Sequence, residues 1–393
     1  MKKILFVISN YYSMGGIERS LDCLIKELDK KKWDITVLSL RDDNNINREL
    51  PNVKIKHLPW YGEFKKDITT PFKFLLKNKL KKKIKCGIAL VFHKILSIIT
   101  KDRNNFNRFL LKQYPIFNEN YDIAVAYEYP PNHILDIVKY KIKSTKKCAW
   151  IHFEISNTDF FEKKKTRLKN LSGFDKIYTV SNKIVEYIKN DLPKLKDNTE
   201  CFYNILDKDM LNKSNEDIGL YNDKNNFFIL TIARLSRQKG IDIAINIANE
   251  LRSEGYNFEW HIVGEGEERE NLEKQIESYS LGKWVKLHGN QNNPYPYLKN
   301  CDLYVQPSRY EGYCITLAEA RVFCKPIITT NFYGANEQII NNKTGLIVNC
   351  SKEDIKDAIK LLINNGDLKQ SFIDNLKKEN PLNKNDLFKL DQL

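Results

Sequence analysis

Two carboxylates eight positions apart stand in the stretch Arg309–Ala320, RYEGYCITLAEA: Glu311 beside a glycine, and Glu319 inside an alanine-flanked helical pattern. On one continuous helix they would lie about 12 Å apart along the axis and about 80° apart around it, too far to share a small ligand. They converge if Glu311 sits in a strand-to-helix loop hinged at Gly312 and Glu319 in the early helix. The backbone N–H groups of Tyr313, Cys314, Ile315 and Thr316 would then face the same space, and a helix N-terminus is an anion site. Carboxylates accept from hydroxyls and amides hold phosphate oxygens, so the pattern suits a ligand carrying both groups. A plainer reading has Glu311 complementing the helix dipole and Glu319 solvated. Spacing leaves both open.

Other residues could serve the same ligand. Ala233–Gly240, ARLSRQKG, follows the apolar run Phe227–Ile232 and precedes a helical pattern near Ile241. Arg234 offers a planar fork and Lys239 a point charge, which together suit a diphosphate. Gly264-Glu-Gly266 follows another apolar run, where missing side chains let backbone approach a ligand; Arg269 replaces the third glycine of a dinucleotide fingerprint. Gly15 and Gly16, in SMGGIE after the first apolar run, could bring amides to phosphate, or could simply form a turn. His152 ends the run AWIHFE, either as a core histidine or as a ligand group at a strand end.

These residues need a frame that gathers loop ends. Strands are expected at 4–8, 35–40, 53–58, 123–127, 148–153, 177–180 and 201–205, then at 227–232, 258–263, 285–288, 303–306, 327–330 and 346–348, with amphipathic helices between them. Ile241, Ala244, Ile245, Ala248 and Leu251 recur at helical spacing in one such run. Strand–helix alternation in both halves predicts an α/β protein of two doubly wound, Rossmann-like parallel-sheet domains facing a cleft. The polar stretch 207–225 marks the junction, which places the domains at 1–206 and 207–375, with a tail at 376–393. Phe72–Lys101 interrupts the alternation with nine lysines and no acid among Phe, Leu and Ile. It reads as a basic amphipathic segment for an anionic membrane surface, against the alternative of helices packed on the first domain.

A chain of 393 residues, 42% hydrophobic, with a net charge of +14, suits a polyanionic or phosphorylated partner. No nucleic-acid-binding module accompanies the charge, so nucleic acid is not expected as a partner. The eight cysteines form no C-x-x-C pair and no zinc spacing, which fits a reducing compartment. Ile4–Ile8 is too short for the apolar core of a signal peptide, and no apolar run reaches 18 residues. Asp207-Lys-Asp209 has the spacing of a D-x-D metal motif but lies in the junction, so no metal and no cofactor is expected.

Taken together, the chain resembles the retaining family 4 glycosyltransferases of the GT-B fold, most strongly over 226–348 and most weakly over 60–120. Glu311 and Glu319 match that family's E-x7-E motif, ARLSRQKG its arginine–lysine loop, MGGIE its N-terminal glycine loop, and His152 its histidine. Ala233 and Cys314 depart from positions where glycine is common. The resemblance implies that Arg234, Lys239 and the amides after Glu311 bind a donor diphosphate, with Gly15 and Gly16 capping it. It implies that Glu319 holds the ribose hydroxyls, Glu311 the sugar hydroxyls, and His152 the sugar near the reacting centre. The expected activity moves a hexosyl group from a nucleotide diphosphate sugar, UDP-linked as in most such pathways, to a glycan or undecaprenyl-diphosphate-linked acceptor with retention of configuration. The expected place is cytoplasmic, peripheral on the inner membrane face, in bacterial surface polysaccharide assembly. A sugar-nucleotide epimerase or hydrolase on the same fold is the alternative, and it would need an added acid/base pair that the motifs do not supply.

Overall fold

Alternating apolar strands and amphipathic helices resolve into two parallel sheets in the computed structural model, which describes residues 1–12, 15–41, 50–69, 104–129, 132–152, 169–217, 226–379 and 384–393. The first sheet contains β1 (Lys2–Ile8), β2 (Trp33–Ser39), β3 (Val53–His57), β4 (Phe117–Ala126), β5 (Ile142–Ile151), β6 (Lys176–Thr179) and β7 (Thr199–Cys201). Its strand order is β3-β2-β1-β4-β5-β6-β7. The second contains β8 (Phe227–Ile232), β9 (Phe258–Val263), β10 (Val285–Leu287), β11 (Leu303–Gln306), β12 (Ile327–Thr330) and β13 (Leu346–Val348), in the order β10-β9-β8-β11-β12-β13. Every strand pairing in both sheets is parallel.

The burial pattern explains why unbroken apolar runs form these strands. Ile4 to Ile8 are fully buried, as a central parallel strand with both faces covered must be. The helix Ile241–Ser253 turns Ile241, Ala244, Ile245, Ile247, Ala248 and Leu251 inward, the stripe that its spacing predicts. Strand order reverses beside β1 and β4 in one sheet and beside β8 and β11 in the other. Doubly wound sheets bind ligands at such switch points. The loops after β8 and β11 are the ones that carry Arg234–Lys239 and Glu311.

Three expectations shift. β4 and β5 each run for ten residues, because their N-terminal halves are polar and exposed and only the buried halves read as apolar. Pairing in β7 stops at Cys201, so the strand expected at 201–205 is short. Phe202, whose N–H still donates to the Thr179 carbonyl of β6 (2.7 Å), and Ile205 and Leu206 beyond it are buried there nonetheless. The polar junction also contains the helix Met210–Lys213, whose Met210 is buried.

The two domains touch directly. Glu337, on the helix Ala335–Gln338, accepts from the backbone N–H groups of Asn182 (2.9 Å) and Lys183 (3.1 Å) and from the Tyr203 hydroxyl (2.7 Å). A carboxylate of the second domain thus caps a helix N-terminus of the first. The chain returns at its end to the first sheet: Tyr203 N–H donates to Asp386 (2.7 Å), Lys389 Nζ to the Cys201 carbonyl (2.6 Å), and Leu390 is buried. Among the described residues, no helix is long and apolar enough to cross a membrane. Phe72–Lys101 lies outside the described residues.

Candidate active site

The basic loop after β8 is built on backbone-to-backbone contact. Gly240 has φ +70°, and a Cβ there would stand 2.0 Å from the Pro307 carbonyl oxygen. Gly264 has φ +145°, and its Cβ would stand 1.9 Å from the Ala233 oxygen. The close approach expected of Gly264 is therefore to the chain at Ala233–Arg234. The N–H groups of Ala233 and Leu235 donate to the carbonyls of Val263 (3.0 Å) and Glu265 (2.9 Å), fixing both sides of Arg234.

The loops after β8 and β11 are stitched together. Arg309 N–H donates to the Gln238 carbonyl (2.8 Å), and Gln238 Nε2 donates to the Tyr310 carbonyl (2.8 Å). The Arg309 guanidinium forks onto Asp242, with both bonds at 2.7 Å, and reaches the Arg237 carbonyl at 2.7 Å. The Asp242 carboxyl titrates lower than usual: its burial alone would raise it, but the Arg309 bonds outweigh that. Lys239 Nζ then meets Glu311 Oε1 at 2.5 Å. Glu311 is buried and also accepts from Ser308 Oγ (2.9 Å), itself held by Gln306 Nε2 (2.8 Å). One cation and one carboxylate from neighbouring strand ends thus share a buried corner.

The turn after Glu311 is clamped on its outer side. A Cβ on Gly334 would stand 2.7 Å from the Gly312 oxygen, and Gln338 Nε2 donates to the Tyr313 carbonyl. Tyr313 is buried, its ring 5.8 Å from that of Tyr203 across the domain boundary. Cys314 takes φ +64° as N-cap of the helix Ile315–Val322, a conformation that favours glycine. Burial pushes its thiol up to about 12, so it stays neutral. Ile315 opens the helix, and Thr316 Oγ1 donates to the Ile232 carbonyl (3.1 Å), tying the helix start to the end of β8.

Glu319 does not join the Lys239–Glu311 corner. It is 3% exposed, and its Oε1 takes Arg19 Nη2 at 2.6 Å, with the Tyr295 hydroxyl at 3.5 Å. Its Oε2 is buried with no hydrogen-bond partner among the described residues. Burial raises the carboxyl above its ordinary range, and Arg19 opposes the rise. The two glutamates therefore answer to different cations, one from each domain.

The first domain supplies the facing wall. Gly15 is the N-cap of the helix Gly16–Glu27; a Cβ on it would stand 2.4 Å from Glu18 Oε2 and 3.8 Å from Arg234 Nη2. The glycine loop and the basic loop thus meet across the boundary. Gly16 has no neighbour among the described residues within 4 Å of where a Cβ would be. His152 follows β5, its ring 4.6 Å from Tyr127 and parallel to Trp150 at 6.0 Å. Its Nε2 is buried without a partner among the described residues, and burial pushes its pKa down to about 3. The imidazole is neutral at working pH.

That shift predicts acid sensitivity. An unfolded histidine takes a proton near pH 6.5. Between about 6.5 and 3 the unfolded chain then binds more protons than the folded one, and stability falls with pH. His152→Asn is expected to lose less stability than wild type between pH 7 and pH 4 in urea titrations. Equal losses would mean that the native ring takes up the proton.

Arg19, Tyr295, Arg309, Asp242 and Glu337 escaped the motif reading. Arg19 directly follows MGGIE and Arg309 stands two before Glu311, so both lay beside motifs, but adjacency says nothing of which carboxylate a cation will meet.

Paired switch-point sheets with facing loops define the GT-B class of fold. Within it, residues 213–379 match the family model "Glycosyl transferases group 1". Across its whole length the chain is similar to the Anabaena HepE crystal structure in complex with UDP and glucose, with a TM-score of 0.70, 16% identity and 100% of each chain covered. An uncharacterized glycosyltransferase of Methanocaldococcus jannaschii is 28% identical over 221 residues, 54% of this chain and 59% of that protein. The N-acetylgalactosamine-N,N'-diacetylbacillosaminyl-diphospho-undecaprenol 4-alpha-N-acetylgalactosaminyltransferase of Campylobacter jejuni is 29% identical over 176 residues, 44% of this chain and 46% of that enzyme. The chain spans about half the length of these curated relatives.

Proposed function

We propose that the protein transfers a hexosyl group from a nucleotide diphosphate sugar, a UDP-sugar by preference, to a hydroxyl of a glycan or undecaprenyl-diphosphate-linked acceptor, with retention, in bacterial surface polysaccharide assembly. The observation that carries this reading is the buried Lys239–Glu311 pair at the β8/β11 switch point, with Arg234 facing the glycine loop. UDP in the HepE structure and the undecaprenol-linked acceptor in the name of the Campylobacter enzyme support the choice of donor and acceptor.

In the proposed reaction the bond between the anomeric carbon and phosphate breaks with oxocarbenium character. Arg234, Lys239 and the amides of Tyr313–Thr316 stabilise the charge gathering on the diphosphate. Glu311 accepts from the sugar hydroxyls, and neutral His152 presents Nε2 to the sugar. The acceptor hydroxyl attacks from the leaving-group face and gives its proton to the departing phosphate oxygen. No protein nucleophile and no metal enters this scheme. The lysine-rich segment 72–101 supports docking on the anionic inner face of the membrane.

Purified protein given nucleotide sugars and a polyprenyl-diphosphate-linked acceptor should form an elongated product whose anomeric configuration matches the donor's. Glu311→Ala should abolish it. Isomerised donor without acceptor would make the protein an epimerase instead.

A further inference from the structure

Arg19 belongs to neither the basic loop nor the carboxylate motif, yet it reaches from the first domain into the second. Its guanidinium lies between Glu319 Oε1 at 2.6 Å and the Tyr295 hydroxyl at 3.1 Å, 5.5 Å from the Tyr295 ring centroid. Glu319 is almost wholly covered, while the Arg19 side chain keeps 26% exposure. The carboxylate is used on one oxygen only, since Oε2 is buried and lacks a partner among the described residues. A buried, bare carboxylate oxygen is unfavourable unless a donor arrives to satisfy it.

We propose that Arg19 is a positioning residue for nucleotide recognition: it fixes Glu319 through Oε1 from the opposite domain and so reserves Oε2 for the ribose hydroxyls. This rests on the reading of Glu319 as the ribose-holding carboxylate. Burial presses Glu319 towards its neutral form, and a neutral carboxyl is a poorer acceptor for a diol. The guanidinium opposes that pressure and locks the carboxylate plane. Ribose binding and domain contact then meet in one side chain, so each favours the other.

The test measures the affinities of UDP, GDP and ADP, each against its 2′-deoxy counterpart, by calorimetry. For whichever nucleotide binds wild type, loss of the hydroxyl should weaken binding by about 10- to 100-fold, as for a hydrogen bond to a charged group. Glu319→Ala should erase that preference. Arg19→Met should cut it at least about threefold, although Arg19 does not touch the sugar, and Arg19→Lys should fall between. Melting curves confirm folding, and the lysine variant carries the test if the methionine variant does not fold. A ribose preference unchanged in the folded Arg19 variants overturns the positioning role. Tighter nucleotide binding in them also overturns it, making Arg19 a competitor for the seat. Unchanged preference in Glu319→Ala overturns the ribose assignment itself, and no binding of any of the three nucleotides overturns both.

Discussion

Replacing Lys239 by methionine is expected to lower kcat/KM for the sugar donor about 100- to 1,000-fold, the loss seen when one charge-stabilising group is removed from a transition state. The effect is large because the charge is delivered in a confined place. Lys239 Nζ is held at 2.5 Å from Glu311, in a corner where Glu311 is 5% exposed. Low local dielectric would strengthen what that cation does for a departing diphosphate in the proposed reaction. Methionine keeps the length and removes the charge. Glu311 keeps its bond from Ser308 Oγ, so the corner retains one of its contacts. Pairing Lys239→Met with Glu311→Gln separates the possibilities. Two residues serving one ligand couple, so the double variant should be less impaired than the product of the single losses. Full transfer activity in folded Lys239→Met would remove the basic loop from the mechanism. Steady-state kinetics with a saturating acceptor reads this directly.

Gly240→Ala is expected to lower the melting temperature by on the order of 10 °C. A left-handed backbone costs a non-glycine residue about 1–2 kcal/mol. Here the new methyl would also stand 2.0 Å from the Pro307 carbonyl oxygen, and backbone cannot rotate away as a side chain does. Overpacking of this kind adds about 1–3 kcal/mol. Domains of this size shift by about 2–4 °C per kcal/mol. Gly16→Ala is the control: its methyl would meet none of the described residues within 4 Å, so melting should be unchanged or slightly raised. If calorimetry finds the two variants alike, the contact between the β8 and β11 loops is softer than its geometry.

The sheets were legible because parallel strands are buried on both faces and read as apolar runs. β8, β9, β11, β12 and β13 fall at the expected residues. β4 and β5 were half hidden because their exposed starts are as polar as any loop. At the candidate site, the motifs single out Lys239 and Glu311, which the structure brings into contact. They could not show that Glu319 turns away to Arg19, 300 positions distant. Nor could they show that Gly264 closes on Ala233. Local spacing records helix faces and loop ends; which side chains meet across a domain boundary depends on how two independently built sheets dock.

The chain passes between the sheets near Leu206 and again before Asp386, where its end is fastened to Tyr203 and Cys201. A body joined by one strand of chain can swivel about every axis. Joined by two strands of chain that lie side by side, it is held against twisting at that end, as a strap sewn twice is.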